Sequence, residues 1–306
     1  MKAGGVKIFF VYAMLCFIWG STWLAIRFGL ETLTPIFSAG LRFSLAAFFI
    51  SILMKIRGVS LQMDKISIRL YLVMGFFSFV IPFGLVYWAE QFVPSGISSV
   101  LFAVFPFFVA IFSYIFIASE SLDIYKLCGI VIGFTGIVII FSDSFGGDIT
   151  DYLIGMFAIV LSAIMQAGIA ITIKKYGHHL NPLSMNFIPM LIAGISMVFI
   201  GVVIEDTSTN SFGLNAVLSI LYLAFFGSVI TFTSYYWLLK KINIVILSFT
   251  AFITPITALI LGYIVYNEQL STSDFAGSAC VLLGVFGANL GNLLRIRKKG
   301  IIKEHG

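Results

Sequence analysis

The chain has 306 residues, of which 60% are hydrophobic and only 10% are charged, and its mean hydropathy is +1.09. Soluble globular domains are about 45–50% apolar and about 25% charged, and a soluble chain of this length could not bury so large an apolar excess. The excess runs along the whole length, which predicts an integral membrane protein. The net charge of +5 does not indicate nucleic-acid binding, because the basic residues lie in short clusters between apolar runs.

The apolar runs are long enough to cross a bilayer, because a helix needs about 20 mainly apolar residues to span about 30 Å of hydrocarbon. The first run is longer than the apolar region of a cleaved signal peptide and no small-residue cleavage site follows it, so it is interpreted as a membrane span. Charges, prolines and polar clusters divide the chain into ten runs. The predicted spans are 8–28, 35–54, 69–91, 96–118, 123–142, 152–174, 184–204, 214–239, 244–266 and 274–294.

The distribution of charge predicts how these spans are oriented. If both termini are cytoplasmic, 16 of the 18 Lys and Arg residues lie in cytoplasmic segments. The other two, Arg27 and Arg42, lie within predicted spans, and the outer loops carry acidic residues but no basic ones. This bias follows the positive-inside rule. It predicts an all-α integral membrane protein of ten helices with both termini in the cytoplasm.

The sequence also contains an internal repeat. The residues that align at an offset of 149 are, in pairs, Tyr87 with Tyr236, Trp88 with Trp237, Pro106 with Pro255, and Tyr114 with Tyr263. Each half has five spans, and because five is odd the second half enters the membrane from the opposite side. We therefore predict two inverted five-helix repeats, residues 1–146 and 147–294, followed by a basic cytoplasmic tail over 295–306. Inverted repeats are typical of transporters that alternate access, although a duplication kept only for stability would leave the same pattern.

These residues resemble the drug/metabolite transporter superfamily, EamA type. In that family each half has a proline in its fourth helix, a glutamate at the end of that helix and a glycine-rich fifth helix. The matching residues are Pro106, Glu120, Gly129, Gly133 and Gly136 in the first half and Pro255, Glu268, Gly277, Gly284 and Gly287 in the second. The resemblance covers nearly the whole chain. It implies a 5+5 helix bundle with a central cavity in the inner (plasma) membrane, often exporting amino acids or similar metabolites, and it leaves the substrate open.

Two charged residues are candidates for the transport path. Arg42 lies about eight residues into its helix, roughly 12 Å below the outer surface, where a charge is costly unless it faces a wet cavity or a partner. It either binds a substrate carboxylate or helps to gate the outer side, or it makes a structural contact. Glu90 lies near the outer end of the third span. It pairs with Arg42 or Arg27, binds a coupling proton, or is a solvated interfacial residue; the sequence leaves these alternatives open. Glu120 and Glu268, at helix ends, are interpreted as turn and cap residues.

Aromatic and polar residues at mid-span are further candidates, because small-molecule pockets are mainly apolar with a few orienting polar groups. Trp and Tyr also mark membrane interfaces without binding a ligand. Pro106 and Pro255 are predicted to kink their helices, since each removes one backbone hydrogen bond, and to support rocking of the halves. The residues predicted to line the cavity with Arg42 and Glu90 are Trp19, Ser21, Tyr87, Trp88, Gln166, Tyr235 and Tyr236.

Catalytic and metal-binding functions are not indicated. The three histidines, His178, His179 and His305, lie in predicted cytoplasmic segments, and no intramembrane cluster has metal-ligand or catalytic spacing. No Walker-type phosphate loop appears. The prediction is a secondary transporter of a small molecule that has no cofactor, works as a monomer or homodimer, and runs downhill or with protons as the coupling ion. The alternative is a flippase for lipids, lipid-linked sugars or nucleotide sugars. For lipid substrates it would need a lateral opening between helices.

Overall fold

The computed structural model describes residues 3–117, 123–142, 150–239, 241–242, 247 and 250–304. Within these ranges a helix lies at each of the ten predicted spans. We number the helices α1 to α10 in chain order: α1 Ala3–Leu30, α2 Pro35–Arg57, α3 Lys65–Ala89, α4 Ser95–Phe116, α5 Ile124–Ser142, α6 Thr150–Tyr176, α7 Pro182–Ile204, α8 with the segments Leu214–Ala224, Phe225–Ile230 and Thr231–Leu239, α9 Thr250–Tyr266, and α10 Thr272–Glu304.

In the described part of the chain, eight helices, α1 to α8, are long and apolar enough to cross a membrane. α9 and the part Thr272–Ala288 of α10 are shorter apolar helices. α10 continues to Glu304, so the helix extends into the segment predicted as a tail. Large apolar side chains lie on the outside of both classes of helix, for example Phe199 on α7 at 69% exposed and Ile264 on α9 at 68% exposed. An apolar exterior of this kind is the surface that lipid covers.

Local sequence signals set several helix ends. Pro35 and Pro182 lie in the first turn of α2 and α7. Backbone N–H groups in the first turn have no intrahelical acceptor, so proline, which lacks this N–H, costs no hydrogen bond there. Gly58 follows α2 with a φ of 61°, the left-handed conformation that favours glycine after a helix. Asp64 caps α3 by accepting the backbone N–H of Ile66 at 3.0 Å. These signals explain why the predicted and observed starts of α2 and α7 agree within two residues.

Within the described ranges, α3, α4 and α8 have irregular interiors. α3 is π-helical over Gly75–Val80, and α8 is π-helical over Phe225–Ile230, which begins 150 residues later. α4 is interrupted after Phe102, and Pro106 stands in the first turn of its second segment. Pro255 lies inside α9, and Pro106 lies directly after the interruption of α4, where the second segment begins. A proline fits the first turn of a helix without losing an intrahelical bond, which is why the helix restarts there.

The helix contacts recur between the first five helices and the second five. α5 packs against α10, and α2 packs against α7. In the same way, α1 packs against α8 and α9, and its counterpart α6 packs against α3 and α4. Adding or subtracting five in each helix number maps these contacts onto one another. Glycines allow the α5–α10 approach: a Cβ on Gly284 would lie 2.6 Å from the carbonyl oxygen of Gly129 and the nitrogen of Gly133. These glycine faces therefore pack helices within one chain.

Candidate functional site

Arg42 lies inside the bundle where α2 meets α3 and α8, and it is 3% exposed. Its Nε donates to Ser228 Oγ at 3.3 Å and its Nη1 to the Tyr87 hydroxyl at 3.3 Å. Its Nη2 donates to the Gly227 carbonyl at 3.4 Å. These bonds are long and all three acceptors are neutral. Among the described residues no carboxylate forms a direct ion pair with the buried Arg42 guanidinium.

A row of aromatic rings leads from Arg42 across the bundle to α1 and α8. Its members, in order from the guanidinium group, are Phe83, Phe79, Phe232, Trp19 and Tyr235. Phe83 faces the guanidinium at 5.1 Å, and the successive ring centroids are then 5.9, 6.2, 5.9 and 5.4 Å apart. All except Phe79 are partly exposed. We call these five residues the aromatic row.

Ser21 joins α1 to α8 close to this row. Its Oγ lies 2.6 Å from the Tyr222 hydroxyl, a hydrogen bond in which either group can be the donor. The next residue, Thr22, reaches the Arg42 region: a Cβ on Gly227 would lie 2.8 Å from Thr22 Cγ2 and 3.6 Å from Arg42 Nη2. The structure therefore brings Arg42 and Tyr87 together with Trp19 and Tyr235 of the aromatic row, whereas the Ser21 side chain bonds to Tyr222 of α8.

Gln166 bonds to the π-helical turn of α3. Its Oε1 accepts from Ser78 Oγ at 2.7 Å, and its Nε2 donates to the Ser78 carbonyl at 2.8 Å. The π-helical turn of α8 is bound in a related way, because Ser228 and Gly227 both accept from Arg42. In each half a polar side chain from another helix engages the irregular turn. Turns of this kind are frequent at functional sites.

Trp88 and Glu90 lie at the C-terminal end of α3, which is predicted to be its outer end. The Trp88 ring packs against Phe92 at 5.3 Å. Glu90 is 0% exposed, and among the described residues neither oxygen of its carboxylate has a hydrogen-bond partner. Arg27 reaches Glu90, but its guanidinium donates to the backbone carbonyl. Glu90 is therefore not the solvated interfacial residue that the sequence left open, and its carboxylate does not pair with Arg27.

The predicted cap at Glu268 is confirmed. Its carboxylate accepts the backbone N–H of Ser95 at 2.7 Å and of Gly96 at 3.0 Å, so it caps α4 from the turn after α9. Glu120 and the side chain of Tyr236 lie outside what the structure describes. Over the described ranges, no group of three or more His, Cys, Asp or Glu side chains is placed to hold a metal ion.

Two cavities open between helices at the ends predicted to face the cytoplasm. One, of about 500 Å³, lies among α3, α4 and α6 and includes Phe77 and Lys175 in its wall. The other, of about 400 Å³, lies between α2 and α8 and includes Arg57 and Phe225. Both walls are mainly apolar and both touch a π-helical turn. Neither cavity is lined by the predicted residues.

The sequence did not single out Phe79, Phe83, Phe232 or Ser228. Phenylalanine accounts for 33 residues of the chain, so no pattern distinguishes three of them as neighbours of a charge. For Ser228 the sequence holds one weak signal: Ser78 and Ser228 align with one another when the two halves are compared at an offset of 150. That alignment differs by one residue from the offset at the Tyr-Trp pairs, and it was therefore missed.

Comparison with known proteins relates the whole chain to membrane transporters. The sequence profile of the EamA-like transporter family matches residues 7–142 and again 153–290. The "uncharacterized inner membrane transporter YedA" of Escherichia coli (strain K12) is 30% identical over 285 residues, which cover 92% of this chain and 90% of YedA. Protein PagO of Salmonella typhimurium is 28% identical over 281 residues, which cover 92% of each chain.

A more distant relative and a solved structure extend these similarities. The "uncharacterized transporter YoaV" of Bacillus subtilis is 25% identical over 281 residues, covering 92% of this chain and 96% of YoaV. A solved crystal structure superposes with a TM-score of 0.68 over 93% of this chain and 98% of its own, at 14% sequence identity. At that identity the likeness concerns the fold alone.

Proposed function

Because the chain belongs to the EamA-like transporter family, we propose that it is a secondary transporter of a small metabolite, most specifically an amino acid or related carboxylate. The chain is a multi-pass protein of the inner membrane. In our proposal it works by alternating access, its two five-helix halves are inverted relative to one another, both termini are cytoplasmic, and net transport is export.

The recurrence of structure between the halves supports this arrangement. The family profile matches once in each half, the helix contacts map onto one another when helix numbers shift by five, and the π-helical turns begin 150 residues apart. When two inverted halves exchange conformations, an inward-open protein becomes outward-open. The same pattern therefore favours a carrier over a channel.

The observation that carries the substrate class is the buried charge of Arg42. A buried cation held only by neutral groups is costly, and an incoming carboxylate supplies the missing partner through charge-assisted hydrogen bonds. The aromatic row beside Arg42 offers apolar surface to the remainder of the substrate. An amino acid with an apolar or aromatic side chain matches both features.

The test is exchange transport in proteoliposomes. Vesicles loaded with one unlabelled amino acid are diluted into the same labelled amino acid, across a panel, and saturable accumulation is measured. We expect Arg42→Ala to raise the KM about tenfold or more, because a hydrogen bond to a charged group contributes about 1.5–3 kcal/mol. Arg42→Lys keeps the charge but not the bidentate geometry, so its KM falls between the two.

The matched control is Arg69→Ala, which removes an exposed arginine from the cytoplasmic end of α3 and leaves the KM unchanged. A wild-type KM in both Arg42 variants contradicts the role of that residue. Absence of saturable exchange for every amino acid, by wild-type protein that is monodisperse and inserted, contradicts the proposed substrate class.

The two cavities between helices favour a second candidate, a lipid flippase. Each cavity is a lateral opening with an apolar wall and a basic residue, Lys175 or Arg57, at the end predicted to be cytoplasmic. That arrangement would accommodate acyl chains with an anionic headgroup at the surface. Vesicles containing a fluorescent phospholipid distinguish the two functions: lipid translocation faster than in protein-free vesicles, without amino-acid exchange, supports the flippase.

A further inference from the structure

Glu90 occupies a position that the proposed binding of substrate does not explain. It lies in the turn between α3 and α4, it is 0% exposed, and within the described ranges both carboxylate oxygens are without a hydrogen-bond partner. A buried ionised carboxylate costs several kcal/mol unless partners compensate for the lost water. The neutral form of the carboxyl group is therefore favoured in the observed conformation.

The nearby cations are directed elsewhere. Arg27 of α1 donates to the backbone carbonyl of Glu90 and faces the Tyr266 ring at 5.6 Å. Arg42 of α2 uses its donors on Ser228, Tyr87 and Gly227. Both arginines attract a charge on Glu90 from a distance, but neither supplies the direct hydrogen bonds that would stabilise its ionised form.

The neighbouring carboxylate acts in the opposite direction. Glu268, in the turn before α10, accepts two backbone N–H groups at the start of α4. Its negative charge then repels a second one on Glu90. α6 packs against the residues that flank Glu90 through Gly155, where a Cβ would lie 2.9 Å from Val93 Cγ2 and 3.5 Å from the Ala89 carbonyl oxygen.

We propose that Glu90 is the proton-binding site that couples closure of the outer side to the proton gradient, an inference that rests on the proposed transport function. When the outer side is open, water reaches the Glu90 carboxylate, which takes up one proton. Closure then buries the neutral carboxylic acid. We assign a proton and not a metal cation to this site for two reasons. A proton needs a single oxygen, whereas a metal cation needs several oxygen ligands. The charged groups around Glu90 are also mostly cationic and would repel a metal cation.

The observed conformation is consistent with the closed outer side. Val93, Ser95, Ile97 and Ser98, at the outer ends of α3 and α4, are each 0% exposed, whereas the two cavities open at the opposite ends. Protonation of Glu90 therefore favours outer closure, and loss of that proton favours opening. Coupling requires this preference, because a ligand shifts an equilibrium only through its differential affinity for the two states.

The first experiment uses a cysteine labelled from the outer side. In a chain whose native cysteines, Cys16, Cys128 and Cys280, are replaced by serine, Ser98→Cys reports opening through its reaction with an impermeant maleimide. Glu90→Gln imitates the protonated form. We expect it to slow labelling about tenfold or more at alkaline pH, and by much less at acidic pH. Comparison at equal pH cancels the pH dependence of the thiol itself.

Asp151→Asn is the matched control, because it neutralises an exposed carboxylate on the same side of the protein; it leaves labelling unchanged. Equal labelling rates for Glu90→Gln and its parent at every pH overturn the proposal. A second measurement does not depend on cysteines or transport. We expect the infrared spectrum of wild-type protein to show the carbonyl stretch of a buried protonated carboxyl group. This band should disappear in Glu90→Gln and persist in Asp151→Asn.

Transport separates failure of this inference from failure of the proposed function. Wild-type protein could exchange an amino acid although a pH gradient drives no net uptake and no protonated carboxyl is detected. In that case Glu90 is not the coupling site, and the proposed transport function is unaffected. If a pH gradient drives net uptake by wild-type protein, we expect Glu90→Gln to abolish this uptake and to retain amino-acid exchange. Absence of all exchange, together with a detected Glu90 carboxyl signal, overturns the proposed substrate and leaves the proton site.

Discussion

Among single residues, Glu268 makes the most specific structural contact. Its two hydrogen bonds to Ser95 and Gly96 compensate the free N–H groups of α4, and the side chain is 8% exposed. Gly262 makes room for it, because a Cβ there would collide with the carboxylate. We expect Glu268→Gln to lower the free energy of unfolding by about 1–2 kcal/mol, since it removes a charge from a capping bond, measured by unfolding of the purified protein in detergent.

The control for this prediction is Asp151→Asn, an exposed carboxylate in the first turn of α6. Its loss changes only the interaction with the helix dipole, about 0.3–1 kcal/mol. Equal destabilisation by the two substitutions would show that Glu268 contributes no more than a surface charge.

At the scale of helices, the π-helical turns of α3 and α8 depend on partners from elsewhere in the bundle. Gln166 both donates to and accepts from Ser78. Replacing Gln166 by Leu leaves the Ser78 carbonyl and hydroxyl without this partner, which costs about 1–3 kcal/mol for buried polar groups. We expect Ser78→Ala and Gln166→Leu to be non-additive by about 0.5–1.5 kcal/mol in a double-mutant cycle of unfolding free energies.

Thr135→Ala serves as the comparison for that cycle, because the Thr135 hydroxyl is exposed and bonds within its own helix, to the Val131 carbonyl at 2.9 Å. Combined with Gln166→Leu it is additive within a few tenths of a kcal/mol. Additivity of Ser78→Ala with Gln166→Leu would contradict a stabilising link between α6 and the π-helical turn.

The same helices mark how far sequence reasoning reaches for the fold. Apolar runs bounded by charge, Pro35 and Gly58 are local signals, so the helix ends follow from them. The segment Gly75–Val80 is as apolar as its neighbours and contains no residue that demands a π-helical turn. Its partner Gln166 lies 88 residues from Ser78, and only the folded chain brings the two together.

The candidate site shows the same division. A guanidinium at depth in an apolar run is costly wherever the chain folds, so Arg42 could be selected from sequence. Whether it pairs with a carboxylate depends on where Glu90 points, and among the described residues the Glu90 carboxylate makes no hydrogen bond. Likewise, Trp19 could be chosen as a rare residue among polar neighbours, whereas its contact Phe232 could not.

For the whole molecule, inverted halves make a prediction that no single helix makes. The turns before Pro35 and Pro182 are equivalent in the two repeats, and both are exposed at Thr32 and His178. The charge distribution places the first outside and the second in the cytoplasm. In the chain without native cysteines, we expect an impermeant maleimide added to intact cells to label Thr32→Cys and to leave His178→Cys unlabelled until the cells are opened.

The equivalence of the two turns makes this a test of inversion and not only of one loop. Parallel halves would place both turns on the same side of the membrane, and both cysteines would then react identically. Each variant is first labelled after detergent solubilisation, where both react because both positions are exposed. Opposite labelling in cells supports inverted halves, since five spans per half carry the chain to the other side. Identical labelling contradicts them, together with the alternating access proposed from their symmetry.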